Sequence, residues 1–119
     1  MEEYFNYEIK REDDIVVFKI TESRFDAEIA GLVKGELTIL LNTENVKKLI
    51  FDLSEVEYCD SSGLSAILLA FRMLHSSGGK VILAAPQKSV LTLIEISQLN
   101  RVLTLTDSVE AAKKLLQSD

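Results

Sequence analysis

The chain is 119 residues long, 47% hydrophobic and 27% charged, with 13 Lys and Arg against 19 Asp and Glu and a formal net charge of −6. That length and balance predict one globular domain over residues 1–119, with enough chain to bury a core, and exclude a disordered chain or a two-domain enzyme. The acidic balance leaves only isolated basic pairs, Lys47-Lys48 and Lys113-Lys114, which argues against direct nucleic-acid binding and against attraction to an anionic membrane surface.

No apolar run approaches the ~20 residues that span a bilayer, so no membrane insertion is expected. The start, Met1-Glu2-Glu3-Tyr4, is acidic and lacks the apolar stretch of a secretory signal. The expectation is a cytoplasmic protein. Cys59 is the sole cysteine, so no intramolecular disulfide can form.

In chain order, Tyr4 to Lys10 and Ile15 to Ile20 predict two strands around a polar turn at Glu12-Asp13-Asp14. Ile29, Leu32, Val33, Leu37, Leu40 and Leu41 then recur at helical spacing, with Asp26 as the N-cap. Gly31 and Gly35 weaken this helix by roughly 1 kcal/mol each relative to alanine. Leu49 to Leu53 reads as a buried strand. Ser61-Ser62-Gly63 opens a second helix with a stripe of Leu64, Ile67, Leu68, Phe71 and Leu74, ended by Ser76-Ser77-Gly78-Gly79.

Lys80 to Ala84 is a further strand, and Pro86 suits the first turn of a third helix through Ile96. Val102 to Leu105 is the last strand. Asp107 or Ser108 caps a final helix carrying Val109, Ala112, Leu115 and Leu116. The alternation predicts an α/β fold: a mixed, mostly parallel sheet of about four to five strands covered by about four helices.

Most catalytic chemistries fail on residue supply. One histidine, His75, and one cysteine leave no zinc spacing, and no loop concentrates acids as a calcium site does. No metal or cofactor is expected. Gly78-Gly79-Lys80 precedes a strand, whereas a phosphate-binding loop must open a helix. Ser61 and Ser62 sit where a nucleophile elbow would be, but the G-x-S-x-G pattern is absent. His75 lies about 20 Å further along the same helix at ~1.5 Å per residue, so a serine hydrolase, and an enzyme generally, is not the expected reading.

Asp60-Ser61-Ser62-Gly63-Leu64 remains. Asp60 and the serines are good N-caps. A serine at a helix N-terminus is also an exposed hydroxyl that would tolerate a phosphate, beside free amides and the positive end of the dipole. A docked partner would feel the added charge, which are the requirements of a phosphorylation-controlled interface.

Tyr58-Cys59-Asp60-Ser61-Ser62-Gly63-Leu64 after the strand Leu49 to Leu53 resembles the signature of the STAS family, and more narrowly of bacterial anti-sigma factor antagonists. The resemblance covers nearly the whole chain and implies a single STAS-like domain. It implies that Ser61, with Ser62 as runner-up, is phosphorylated by a partner that is both anti-sigma factor and serine kinase. The unmodified form would bind that partner and free the sigma factor, and a PP2C-type phosphatase would restore it. The implied partner surface comprises Asp26, Asp60, Ser61, Ser62, Gly63 and Leu64. Leu69 and Met73 lie off the main stripe of the second helix, where they either complete the core or form an apolar docking patch.

Where the family tends to have Gly-Glu-Leu-Asp, this chain has Ser23-Arg24-Phe25-Asp26, which reverses a charge near the docking surface. The alternative within the family is an accessory subunit of an ABC-type lipid transport ATPase, bound without any kinase.

Overall fold

The computed structural model describes residues 4–118. Strands β1 (Tyr7–Glu12) and β2 (Ile15–Ile20) form a hairpin in which Glu12 pairs with Ile15. The turn is therefore the two residues Asp13-Asp14, and Asp13 takes a positive φ of 55°, as short hairpin turns require. Helix α1 (Ala27–Thr43) follows a two-residue strand β3 (Arg24–Phe25). Then come β4 (Lys48–Asp52), a second two-residue strand β5 (Tyr58–Cys59), α2 (Ser61–Ser76), β6 (Lys80–Ala84), α3 (Lys88–Ile96), β7 (Thr104–Thr106) and α4 (Val109–Gln117).

The main sheet has five strands in the order β1-β2-β4-β6-β7, parallel except for the opening hairpin. Both faces of its centre are covered, which is why β2, β4 and β6 are apolar almost throughout. Strand alternation divides their side chains. Val16, Phe18, Ile20, Leu49, Phe51 and Leu83 join the large core beneath α1, α2 and α3. Ile15, Val17, Ile50, Ile82 and Ala84 face the other way and pack on Ala112 and Leu116 of α4. Phe18, Phe25 and Phe51 are fully buried, each contributing about 1.5–3 kcal/mol of apolar transfer.

Several expected boundaries shift. The first strand runs over Tyr7–Glu12 rather than Tyr4 to Lys10, because Glu12 still pairs with Ile15. Pro86 stands ahead of α3 rather than in its first turn, because the cap residue Gln87 is still extended, with ψ 161°. The strand expected over residues 102–105 begins later. Leu99–Arg101 form a 3-10 turn entered through Gln98 at φ 61°. Val102 and Leu103 close that turn by donating to the Leu99 carbonyl. Gly78, at φ 81°, ends α2 by donating to the His75 carbonyl, so the Gly78-Gly79 pair is a helix stop.

The second helix also sits differently on the core. Ala66 and Ala70 are fully buried, while Leu68 and Phe71 are only half-buried. Small side chains let α2 lie close against its neighbours, and the helix is rotated accordingly.

Candidate functional site

Strands β3 and β5 form a separate parallel pair, with Arg24 opposite Tyr58 and Phe25 opposite Cys59. Each runs directly into a helix, so Asp26 and Asp60 follow at matching positions and begin α1 and α2. The pair is anchored from behind: the amides of Glu57 and Tyr58 both donate to the Ser23 carbonyl, at 2.8 and 3.0 Å. The Ser89 hydroxyl at the start of α3 donates to the Glu57 carbonyl at 2.6 Å, and Gln87 Nε2 to the Ser54 carbonyl at 2.8 Å.

Both aspartates are N-caps. Asp26 Oδ1 accepts from the Glu28 amide at 3.1 Å. Asp60 Oδ1 accepts from the Ser62 and Gly63 amides at 2.9 and 3.1 Å. Such caps contribute about 1 kcal/mol each and fix the direction in which each helix leaves the small sheet.

Gly63 is dictated by a close approach. A Cβ there would stand 2.4 Å from the Phe25 carbonyl oxygen and 2.7 Å from Cys59 Sγ. The missing side chain lets the first turn of α2 sit on β3. Leu64, next in sequence, is buried in the main core.

Ser61 is the first residue of α2 and is exposed. None of the described residues hydrogen-bonds its hydroxyl. It lies at the positive end of a sixteen-residue helix, where negative charge is favoured. Ser62 is half-buried and contributes its amide to the cap.

Arg24 and Tyr58 complete the site. The Arg24 guanidinium lies 4.3 Å from the Tyr58 ring centroid, and its Nε pairs with Asp26 Oδ2 at 3.1 Å. The Arg24 side chain is 63% exposed and that of Asp26 only 17%. The arginine thus forms the outer surface and the aspartate lies beneath it. Sequence reasoning identified Arg24 as a charge reversal but missed Tyr58, whose role depends on a strand pairing too short to leave a periodic signal.

Of the two apolar residues read as either core or patch on α2, Leu69 is half-buried and Met73 packs against the core. Leu68, which the sequence placed on the core stripe, stands seven residues from Ser61 and so shares its helix face. Ser61, Ser65, Leu68 and Arg72 form that outward stripe. The spacing from Ser61 was the signal that could have found Leu68.

Cys59 is buried, and burial, with the neighbouring Asp60 carboxylate, pushes its thiol up to about 12. A thiol held protonated is a poor nucleophile. His75 is exposed near the far end of α2, stacked on Phe71 at 5.5 Å between centroids. Among the described residues no cluster of His, Cys, Asp or Glu could hold a metal ion, and no helix is long and apolar enough to cross a membrane.

The STAS domain matches residues 6–112. The chain belongs to the STAS domain family. Among relatives, the anti-sigma-B factor antagonist of Listeria monocytogenes is 30% identical over 98 residues, covering 82% of this chain and 85% of its own. An anti-sigma factor antagonist from Mycobacterium paratuberculosis has the same fold with a TM-score of 0.85 at 17% identity, covering 98% of this chain and 97% of that one. The Bacillus cell fate determinant SpoIIAA in its phosphorylated form superposes with a TM-score of 0.71 at 18% identity, over 92% of this chain and 99% of that one. Its unphosphorylated form gives 0.76, also at 18%, over 96% and 100%. This chain has the architecture of these STAS relatives from the opening hairpin to the last helix.

Proposed function

We propose that this STAS domain is an anti-sigma factor antagonist switched by phosphorylation of Ser61. The observation that carries the reading is the combination at Ser61: an exposed hydroxyl on a rigid helix start, flanked by two capped helix N-termini. The Listeria relative is named for the same role, and SpoIIAA has been solved with and without phosphate.

The unmodified domain docks on an anti-sigma factor through Asp26, Asp60, Ser61 and the outward stripe of α2, and so releases the sigma factor. The anti-sigma factor is also the serine kinase. A phosphate on Ser61 brings nearly two negative charges into a contact that excludes water, where unpaired charge is costly. Each 1.4 kcal/mol of that cost lowers affinity tenfold. The fold survives because Ser61 is exposed and outside the core. A PP2C-type phosphatase resets the domain, and the site of action is the cytoplasm, where sigma factors work.

Wild type, Ser61→Ala and Ser61→Asp as baits in lysate of the native host test this. Retention of a serine kinase by the first two and its loss from Ser61→Asp supports the switch. Equal retention by all three, or an ABC-type ATPase held by all three in its place, overturns it.

A further inference from the structure

We propose that Arg24 reads the phosphate on Ser61, its guanidinium leaving Asp26 to pair with the phosphoryl oxygens. This rests on the reading of Ser61 as the modified residue.

The placement comes from the β3–β5 register. Arg24 lies opposite Tyr58 and Phe25 opposite Cys59; Asp26 and Asp60 then cap the two helices, and Ser61 is the next residue. Parallel-paired residues project from the same face, and the guanidinium already lies across Tyr58. Only its Nε is engaged by Asp26. None of the described residues accepts from the two terminal amino groups, which keep their donors for a new acceptor. Arginine is the side chain best matched to phosphate, because its planar fork can donate two parallel bonds.

The competition favours the phosphate. Asp26 offers a single charge and already accepts from the Glu28 amide, so it remains satisfied as a cap when the arginine leaves. A phosphoserine offers nearly two charges and three acceptor oxygens. The movement would strip the cation from Asp26 and lift it from Tyr58, changing the docking edge at both helix starts rather than at Ser61 alone. In this chain, then, the phosphate would act partly through Arg24 rather than through charge repulsion alone.

Charged residues carried by the elements that meet here are Asp26 and Glu28 at the start of α1, Glu57 and Asp60 flanking β5, and Lys88 at the start of α3. The acids raise the second ionisation of the phosphate. Arg24 and Lys88 are the cations that can lower it.

Phosphoserine installed at position 61 during translation, followed by a phosphorus NMR titration of the folded domain, tests the proposal. A phosphoserine loses its second proton near pH 6. With Arg24 present the midpoint is expected about half a unit lower than in Arg24→Gln. Arg24→Lys is expected to recover part of that shift, and Lys88→Gln to leave it in place. Coincident midpoints for wild type and Arg24→Gln would overturn the assignment, as would a shift that disappears with Lys88 and not with Arg24. The phosphate is built in, so the titration is independent of any kinase. Failure to find Ser61 modified in the native host would defeat the functional reading alone, and an unshifted midpoint would defeat the Arg24 assignment alone.

Discussion

Gly63 and Phe25 touch backbone to backbone: any side chain at Gly63 would drive a carbon to 2.4 Å from the Phe25 carbonyl. The motif glycine is thereby tied to a strand nearly forty residues earlier, and through that strand to Asp26. Gly63→Ala is expected to destabilise the domain by about 1–3 kcal/mol, as overpacking does, measured by urea denaturation. Cys59→Ala in the same chain would relieve the sulfur contact but not the carbonyl one, so rescue should be incomplete. An unchanged midpoint for Gly63→Ala would mean that α2 does not rest on β3 as described.

Gly31 and Gly35 are the opposite case. Both lie inside α1 on its exposed side, and a Cβ at either would meet nothing within 4 Å. Alanine there removes backbone entropy from the unfolded chain without a clash. Each substitution should stabilise the fold by roughly 0.5–1 kcal/mol, seen as a higher melting temperature, and the pair should be additive or nearly so. A loss of stability would show that the helix surface is more crowded than it stands here.

Asp60→Ala should cost about 1 kcal/mol or somewhat more, since it frees two amides. Asp60→Asn should retain most of the cap. The comparison separates the cap from the negative charge. If both variants fold equally well but only the alanine variant loses its partner, the geometry of Ser61 rather than the charge of Asp60 matters for docking.

The Cys59 thiol should be silent toward an alkylating reagent in the native state at pH 8, because burial keeps it protonated to about pH 12. Its labelling should track global unfolding in denaturant. The sign for stability follows from the same shift. The folded thiol ionises later than the ordinary value of 9.0, so its contribution is intact below pH 9 and declines as pH rises from there toward 12. Wild type should therefore lose stability over that interval more steeply than Cys59→Ala. Parallel decline of the two, with rapid native-state labelling, would contradict the burial.

Most of the frame was legible because long elements repeat their pattern. The alternation of buried strands and amphipathic helices predicted about four to five sheet strands and about four helices, where the structure has five and four, and Asp26 and Asp60 read as caps from their chemistry alone. What escaped was short or depended on packing. The β3–β5 pair has two residues per strand, too few for a period, yet it brings Arg24, Tyr58, Asp26 and Asp60 together. Leu68, expected on the core stripe, is only half-buried while Ala70 is fully buried, because hydropathy favours leucine for the core, while close helix packing favours alanine. The reason for a glycine at position 63 was invisible until Phe25 was placed against it.

The central claim is that charge at Ser61 decides whether the domain binds its partner. The direct measurement is the affinity of the captured anti-sigma factor for the unmodified domain and for the same domain carrying phosphoserine at position 61, by calorimetric titration at one salt concentration. The account predicts at least a tenfold weaker complex for the phosphorylated form, about 1.4 kcal/mol, with unchanged thermal stability of the domain. Equal affinities for the two forms would contradict it.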